Sequence, residues 1–441
     1  MAEIQPFRGL RYNPKKIRLE EVITEPYDRI TPAMQENYYQ RSPYNIVRII
    51  LGKDDDNEHP EKDKYRRAKI LLEKWEEEGI FIREKKRALY FYEQEFQLDG
   101  EPRRRLGLIV RAKLDDFASK KVLPHEKTFP KPKEDRLRLL RATKTNTEQI
   151  FLLYSDDDKK AHQPISRALE KAETAADVRD KDGFRHRLGV VQDEKDISRI
   201  QRALAEKVLI IADGHHRYET SLNYKAEMAA GLGLSRGVEP WNYVMMTLFD
   251  LNDPGLVILP TYRLVKGLEK LSEQGLKSAF SDWFEISEVA WSAPADRAGL
   301  ARVREIVSGN EHTFALFASG LKKFLVLRLK SEDILDDQGD AAKSAEWKRL
   351  DVAILHFLII DRLSRFTARP FVQEECVSYI RNLEEGLRKV EAGEWQVIFL
   401  LKPCSLQQVR QVVEKGELMP HKSTDFFPKL KSGLVLNPLD E

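Results

Sequence analysis

The chain has 441 residues, with 74 basic and 72 acidic side chains and a formal net charge of +2. Its composition, 41% hydrophobic and 33% charged, excludes a disordered protein, and its near-balanced charge gives no reason to expect nucleic acid or an anionic membrane surface as a partner. The two cysteines, Cys376 and Cys404, have no metal-site spacing and predict no disulfide framework.

The N-terminal segment is polar and does not resemble a secretory leader. No apolar run reaches the roughly 18 residues that a membrane helix needs. We therefore expect a cytoplasmic protein with no membrane partner. The length allows two or three domains or one large elaborated domain, and the oligomeric state stays open.

Two carboxylates stand at a proline turn near the start of the chain. Val22 and Ile23 suggest a short strand that runs into Glu25-Pro26-Tyr27-Asp28. Pro26 disfavours a helix just before it, so the turn is expected to be rigid. Glu25 and Asp28 are candidate acid–base residues, and the alternative is a turn that carries solvated acids.

The next elements follow from periodicity and turn residues. Residues 42–52 predict a strand, because they contain a Val/Ile-rich run entered through a Pro-Tyr-Asn turn. Residues 65–79 have helical spacing, with Gly79 at the C-terminal stop. Residues 88–114 predict a β-hairpin with Asp99-Gly100 in its connection.

A second polar stretch covers residues 122–150. It predicts a proline-rich loop followed by a cationic helix that could receive phosphate groups. The alternative is a solvated charged helix, and HExxH zinc spacing is absent because residue 129 is Phe129. The candidate ligand-binding residues are His125, Glu126, Lys127, Thr128, Arg136 and Arg141.

The densest polar stretch is Asp213-Gly214-His215-His216-Arg217, which follows an apolar run at 208–212 and precedes a helical pattern. The predicted strand, turn and helix would point backbone N–H groups and the helix dipole at an anion. Asp213 can hold a metal ion or accept a proton, and the two histidines can act as acid and base. Arg217 can grip a phosphate, and Gly214 allows close approach of the backbone. The structural alternative is that Asp213 only caps the helix.

From residue 266 the pattern changes to alternating helices and strands. We predict three regions: a core at 1–265, an inserted or second α+β unit at 266–345, and C-terminal helices, a strand and a tail at 346–441 that pack back on the core. The closing segment, 416–438, is extended by prolines and carries donors suited to oxyanions, although it lacks the glycine pattern of a phosphate loop. Those donors are Lys422, Ser423, Thr424 and Lys429.

Several of these segments together resemble a widespread prokaryotic family of unknown function, numbered one thousand and fifteen among such domains. The matching pieces are IQPFRGLRYN, EPYDRIT, SPYN, LPHEKT with KEDRLRLLRAT, IADGHHRYET, DPGLVILPTYR and MPHKSTDFFPKLKSGL. Two departures stand out: the family often has two prolines where Glu25-Pro26 stands here, and often His where Tyr262 stands.

The DGHHR box also resembles that of free-serine kinases of the ParB/sulfiredoxin-like fold. This resemblance implies an α+β (mixed α/β) fold with a ParB/sulfiredoxin-like core. It also implies that the protein phosphorylates free L-serine to O-phosphoserine. It implies Mg²⁺ at Asp213, a nucleotide or pyrophosphate as donor, a phosphoryl-transfer site at residues 213–217, and a general base at Glu25 or Asp28. The alternatives are a phosphohydrolase acting on a small phosphorylated metabolite and a ParB-like nucleotide-responsive DNA-binding protein. A sulfiredoxin reaction is excluded, because His215 stands where that reductase has its cysteine.

Overall fold

A computed structural model gives the structure of the chain, and the described residues are 3–54, 63–232, 237–269, 271–291, 296–338, 340–367 and 372–440. Helices and strands are interspersed along these ranges and form sheets of mixed and antiparallel strands. The predicted mixed α+β fold is therefore confirmed.

Helices occur throughout the described ranges, and short 3₁₀ turns or a π-helical segment link some of them. The α-helices are α1 Leu19–Val22, α2 Pro32–Arg41, α3 Val47–Ile50, α4 Lys64–Glu77, α5 Pro130–Thr143, α6 His162–Glu170, α7 Glu194–Leu204, α8 His215–Leu232, α9 Glu273–Phe280, α10 Arg297–Gly309, α11 Asp333–Gln338, α12 Ala345–Lys348, α13 Asp351–Ile354, α14 Asp361–Leu363, α15 Gln373–Cys376, α16 Leu383–Glu391 and α17 Leu406–Glu414. The 3₁₀ turns are Tyr27–Arg29, Phe117–Ser119, Pro240–Asn242 and Ser364–Phe366, and Leu355–Ile360 is π-helical.

The strands vary from two-residue pairings to long hairpin arms. They are β1 Ile4–Gln5, β2 Leu10–Tyr12, β3 Phe81–Arg83, β4 Leu89–Leu98, β5 Glu101–Lys113, β6 Val122–Leu123, β7 Thr145–Asn146, β8 Ile150–Tyr154, β9 Glu173–Arg179, β10 Arg185–Val191, β11 Leu209–Asp213, β12 Tyr243–Asp250, β13 Val257–Ile258, β14 Tyr262–Val265, β15 Phe284–Ala290, β16 Thr313–Ala318, β17 Lys323–Leu329, β18 Val377–Ile380, β19 Val397–Leu400, β20 Phe426–Phe427 and β21 Asn437–Pro438.

The chain forms two compact units, of which the first combines Met1–Val257 with Pro428–Glu441 and the second is Ile258–Phe427. The first unit contains a sheet with the order β6-β11-β8-β12-β5-β4-β10-β9, to which β1 adds by pairing with β5. The β11–β6 and β12–β8 pairs are parallel and the other pairs in this sheet are antiparallel. The centre of the sheet is thus built from segments far apart in sequence.

The two faces of this sheet differ in chemistry. One face carries an aliphatic core that includes Leu108, Val110, Leu152 and Met246. Because side chains alternate along a strand, the intervening residues lie on the opposite face. The second face carries aromatic side chains together with buried polar ones, among them Gln94, Arg105 and Thr247.

The predicted hairpin at 88–114 is present as β4 and β5. Asp99 and Gly100 connect the strands with φ angles of 53° and 84°. Left-handed backbone at both positions matches the tight hairpin turns that favour Asp-Gly. Local turn chemistry was enough to locate this element.

The strand predicted at 42–52 is wrong, because this segment contains the short helix α3. Asn45 lies two residues before the helix, and its side-chain oxygen accepts a hydrogen bond from the Val47 amide at 3.0 Å. Ile49 and Ile50 are buried in a cluster that includes α4 side chains, and Val47 is buried against side chains of α2. Burial therefore overrides the β propensity of Val and Ile, as tertiary contacts often do.

The second unit contains an antiparallel sheet with the order β15-β17-β16-β19-β14-β18. β19 hydrogen-bonds to both β14 and β16, so residues from the region predicted to pack on the core complete this sheet instead. The predicted boundaries at 265 and 345 therefore differ from the observed division, and only residues after 427 return to the first unit.

Among the residues that the structure describes, no helix combines the length and the apolar character needed to cross a membrane.

Candidate functional site

The predicted strand, turn and helix at the DGHHR box are present as β11, Gly214 and α8. Gly214 has a φ of 93°, and a Cβ atom there would lie 3.0 Å from Arg217 Nε. The Tyr218 amide donates to the Gly214 carbonyl at 3.0 Å, which closes the first helical turn. Glycine is therefore required both by the backbone and by the arginine beside it.

Asp213 lies at the end of β11, where two cations face its carboxylate. Arg217 NH2 lies 3.3 Å from one oxygen and Lys429 Nζ lies 3.6 Å from the other. Burial alone would raise the pKa of Asp213, but the charges of Lys429, Arg217 and Arg29 outweigh it and lower that pKa to about 2. Asp213 is therefore ionised at neutral pH.

His215 and His125 join the DGHHR box to the HEKT stretch. The His125 backbone N–H donates to His215 Nε2 at 3.2 Å, and the two rings meet edge to face with centroids 4.6 Å apart. The His125 Nδ1–H group donates to the Ile211 carbonyl at 2.5 Å. Burial lowers the pKa of both imidazoles, that of His215 to about 3, and the neighbouring imidazole adds to the effect at His215. Both rings are therefore neutral, and His215 carries its proton on Nδ1.

His216 makes a similar contact one residue further along. Its Nε2 accepts the Phe129 backbone N–H at 2.9 Å, and its ring stacks on the Phe129 ring with centroids 6.3 Å apart. Burial lowers the pKa of His216 as well. Two successive imidazoles of α8 thus hold the HEKT loop through backbone amides. Their Nε2 atoms are occupied, which leaves the Nδ1–H groups as donors.

Glu219, one turn further along α8, fixes the end of the same loop. Thr128 Oγ1 donates to Glu219 Oε2 at 2.8 Å, and Lys133 Nζ lies 2.7 Å from the same oxygen. Glu126 is half-buried and its charge acts on His125, His215 and His216, whereas Lys127 is exposed. Of the predicted residues 125–128, His125 contacts the DGHHR box, Thr128 contacts its helix, and Glu126 acts on the box through its charge.

Arg217 links the box to the Glu25–Asp28 turn. Its NH1 group donates to the Gln149 carbonyl, and the charges of Glu148, Asp213 and Asp28 raise its pKa against the effect of burial. Glu148 in turn accepts the Tyr27 backbone N–H at 3.0 Å. Asp28 is exposed and also acts electrostatically on His216. Three segments that are distant in sequence thus meet around Arg217.

Glu25 belongs to a neighbouring charged network. Its carboxylate accepts the Tyr38 hydroxyl and lies 3.3 Å from Lys431 Nζ and 3.4 Å from Lys181 Nζ. Burial would raise the pKa of Glu25, but Lys431 and the Tyr38 hydrogen bond lower it. Lys431 also pairs with Asp180 at 2.8 Å. Glu25 is therefore an ionised, firmly held carboxylate.

The two predicted arginines of α5 differ in their surroundings. Arg136 is buried and donates to the Ile50 carbonyl at 2.7 Å. Its guanidinium also lies 3.6 Å from Glu148 and 4.0 Å from the centre of the Tyr27 ring, so Arg136 reaches the residues that meet around Arg217. Arg141 pairs with Glu227 at 2.6 Å. Glu227 is twelve residues after His215 on α8, about 18 Å along the helix axis at 1.5 Å per residue. The structure therefore does not bring Arg141 to the box, because the cationic face of α5 follows α8 away from its N-terminus.

The closing stretch divides between the two units. Lys429 belongs to the first unit and contacts Asp213, whereas Lys422, Ser423 and Thr424 belong to the second. Within the second unit the Lys422 carbonyl accepts from Arg263 NH2 at 3.0 Å, and Ser423 Oγ donates to the Pro420 carbonyl. A phosphate-binding role for residues 422–424 stays a prediction.

Sequence reasoning missed Glu148, Gln149, Glu219 and Lys431. Glu148 and Gln149 stand directly before β8, where a polar pair at the entrance of a fully apolar strand was the available signal. Both are buried, and Gln149 is bonded to Arg217 through its backbone and to Thr247 through its side chain. No local pattern distinguishes such residues from ordinary loop polarity.

Among the described residues, no group of three or more His, Cys, Asp or Glu side chains is arranged to hold a metal ion. Mg²⁺ commonly keeps several waters and takes one or two carboxylates together with substrate phosphates. Asp213 offers one ionised carboxylate at the helix N-terminus. The residues present therefore fit Mg²⁺ only as an ion held mainly by phosphate oxygens and water.

A family model described as "Protein of unknown function (DUF1015)" matches residues 4–353, which include the DGHHR box, the HEKT stretch and the Glu25–Asp28 turn. No curated protein matches the sequence.

Three solved structures are similar to this chain at low identity. A conserved hypothetical protein from Pyrococcus furiosus is 16% identical with a TM-score of 0.32, over 74% of this chain and 95% of that one. A free serine kinase in complex with AMP is 14% identical with a TM-score of 0.33, over 74% and 92%. SbnI with a C-terminal truncation, from Staphylococcus aureus, is 11% identical with a TM-score of 0.35, over 76% and 89%.

Proposed function

We propose that this chain, which belongs to the DUF1015 family, is a small-molecule kinase that transfers a phosphoryl group from a nucleotide or pyrophosphate to the hydroxyl of free L-serine. The observation that carries the proposal is the convergence of Arg217, Lys429 and the N-terminus of α8 on the Asp213 carboxylate. Two cations face the single Asp213 carboxylate, and a helix N-terminus favours anions. Phosphoryl transfer depends on positioning and charge neutralisation, which such a site supplies. The choice of serine rests on the resemblance of the DGHHR box to free-serine kinases.

In the proposed reaction the serine hydroxyl oxygen attacks the terminal phosphorus of the donor, the bond from phosphorus to the donor's bridging oxygen breaks, and a carboxylate accepts the hydroxyl proton. Arg217, Lys429 and the backbone at Gly214 bind the phosphate oxygens. Asp213 stays ionised and orients the reacting groups, and the Nδ1–H groups of His215 and His216 donate hydrogen bonds as charge develops. The flanking ligands are proposed to be His125, Glu126, Lys127 and Thr128. Mg²⁺, when bound beside Asp213, would neutralise phosphate charge.

Two carboxylates are candidates for the general base. Glu25 is ionised and held by Tyr38 and Lys431, whereas Asp28 is exposed and its charge acts on Arg217 and His216. Replacing each by its amide, as Glu25→Gln and Asp28→Asn, keeps the shape but removes proton acceptance. The base is the residue whose amide variant loses kcat while KM for serine stays within about threefold, because a proton acceptor acts mainly in the transition state.

The test is phosphorus NMR of the purified protein with Mg²⁺ and L-serine, supplied in turn with ATP, ADP and pyrophosphate. We expect an O-phosphoserine resonance with at least one donor, and its much slower appearance with Asp213→Asn. Release of inorganic phosphate without phosphoserine would instead favour the phosphohydrolase alternative. No turnover of any donor would reject the proposed kinase.

A further inference from the structure

Residues 428–432, called the strap here, carry two of the cations of the site. Lys429 and Lys431 are two residues apart, yet they serve different carboxylates: Lys429 faces Asp213, and Lys431 faces Glu25 and Asp180. Their side chains are only 11% and 8% exposed. The position of the strap therefore determines where one lysine meets Asp213 and where the other meets Glu25 and Asp180.

The first half of the strap is held from beneath by buried polar side chains of the hairpin. Arg105 donates to the Pro428 carbonyl, and Gln94 Nε2 donates to the Lys429 carbonyl at 3.1 Å. Arg105 and Gln94 are 1% and 0% exposed and bond to each other, with Arg105 Nε 2.9 Å from Gln94 Oε1. Burying such groups is costly unless they are hydrogen-bonded, so their presence ties the strap to one position.

The second half is held by Gln149 and Tyr92. Gln149 Nε2 donates to the Lys431 carbonyl at 3.0 Å, and the Lys431 amide donates to the Tyr92 hydroxyl at 3.3 Å. Gln149 Oε1 accepts the Thr247 hydroxyl, so the amide is fixed at both ends. The side chains of Gln149, Tyr92 and Thr247 are all buried on the polar side of the sheet.

Gln149 differs from the other supports because its own backbone carbonyl accepts the Arg217 guanidinium. One residue thus holds Arg217 through its main chain and the strap through its side chain. We infer that Gln149 is a positioning residue that sets the strap lysines against Arg217, so that Arg217 and Lys429 present a fixed pair of cations to one oxyanion. The placement of Arg217 beside Lys429 follows from the contacts alone, whereas the binding of a phosphoryl donor by these two cations rests on the proposed function.

The first experiment measures the placement of the lysines without any activity. An amine-directed acetylating reagent is applied to the intact protein, and the rate at each lysine is read by mass spectrometry. In the wild-type protein Lys429 and Lys431 should react slowly, because both are shielded and paired. In Gln149→Met, whose side chain has similar length but no donor, both should react at least about fivefold faster as the strap opens locally.

The matched control is Gln201→Met. Gln201 Nε2 also donates to a backbone carbonyl, that of Ile4, at 2.8 Å, but it does so from α7 and away from the strap. This variant should leave the two lysine rates unchanged. Wild-type rates in Gln149→Met would overturn the inference. If that variant does not fold, Tyr92→Phe removes the neighbouring strap bond with little change of shape, and the same acceleration is required of it.

The second experiment separates positioning from general loosening. Binding of inorganic pyrophosphate is measured by calorimetry for Lys429→Met, Gln149→Met and the double variant. We expect each single change to weaken binding about tenfold and the double variant to be little worse, because both remove the same placed cation. Fully additive losses would overturn the positioning role. If the wild-type protein binds neither pyrophosphate nor ADP while Gln149→Met still exposes the lysines, the placement stands and the proposed phosphate chemistry fails.

Discussion

Among single residues, Asp213 is the one whose charge matters most to the proposed reaction. Its low pKa keeps it ionised, and it lies between Arg217 and Lys429. We expect Asp213→Asn to lower kcat by about 10²–10³-fold, because an electrostatic contact that strengthens in the transition state is lost. Steady-state kinetics with the active donor would check this. If Asp213 only caps α8, the variant would instead lose about 1 kcal/mol of stability and keep its kcat.

His215 provides a test of the buried imidazoles that is independent of activity. Its pKa is about 3 in the folded chain and about 6.5 when unfolded, so between these values the unfolded state binds more protons. The stability that depends on neutral His215 is present above pH 6.5 and is lost as the pH falls toward 3. In His215→Gln the unfolding free energy should therefore fall less steeply between pH 6 and 4, by up to about 1.4 kcal/mol per pH unit.

The control for this pH dependence is His312→Gln. Burial opposes its ionisation, but pairing with Asp351 at 2.7 Å and with Glu332 raises the pKa of His312. Its contribution is fully present below about pH 6.5 and is lost as the pH rises through the raised pKa. Its removal should therefore lower stability but leave the steepness of the fall between pH 6 and 4 nearly unchanged. Chemical denaturation at several pH values measures both variants. Parallel curves for His215→Gln and wild type would contradict a buried neutral imidazole.

The residues that the sequence identified are those with unusual local chemistry. Five consecutive polar residues after an apolar run located the box, and the pairing of HEKT with it could be anticipated as a second polar concentration. Arg141 was wrongly grouped with them, because the sequence does not tell in which direction α5 runs along α8. Gln149 was missed, because its function depends on a carbonyl at residue 431 that only folding brings near.

At the scale of elements, the turn between β11 and α8 is where backbone geometry and site chemistry meet. Gly214→Ala would place a Cβ atom 3.0 Å from the Arg217 guanidinium at a φ of 93°. We expect a loss of about 1–3 kcal/mol in unfolding free energy, measured by urea denaturation, together with weaker donor binding. Gly231→Ala, inside α8, is the comparison: among the described residues, no atom beyond its neighbours and its own helix backbone lies within 4 Å of the new Cβ, so it should raise stability by up to about 0.5–1 kcal/mol. Equal effects of the two substitutions would contradict the strained turn.

Element prediction succeeded where local signals decide the structure. The Asp99-Gly100 turn fixed the hairpin, and the apolar run with its glycine fixed β11 and α8. It failed at residues 42–52, where the helix α3 lies inside a run of strand-like residues. Helix α3 is only four residues long, so its identity comes from packing against α4 and not from its own propensity.

At the scale of the whole molecule, the first unit is discontinuous in sequence. The last residues return to it, where Leu436 bonds to Leu10, Ser432 bonds to Thr24, and β21 pairs with β7. No pattern in the sequence marks this return, since backbone pairing between distant segments has no local signature. The two units therefore differ from the three regions predicted from the sequence, in which residues 346–441 formed one C-terminal region.

This return predicts that the end of the chain stabilises the first unit. Removing residues 428–441 deletes the fully buried Leu434, Val435 and Leu436 along with Lys429. It also removes the strap carbonyls that accept hydrogen bonds from buried side chains of the first unit. Each large buried aliphatic side chain contributes about 1.5–3 kcal/mol, so the loss is comparable to the whole stability of a typical domain. We expect the truncated chain to lose cooperative thermal unfolding of the first unit.

A chain shortened only by residues 440–441 is the control. It loses one exposed ion pair, Arg83–Asp440, which contributes at most about 1 kcal/mol, and it should melt nearly as the wild type does. Equal melting curves for the two truncations would show that the tail is not part of the folded first unit.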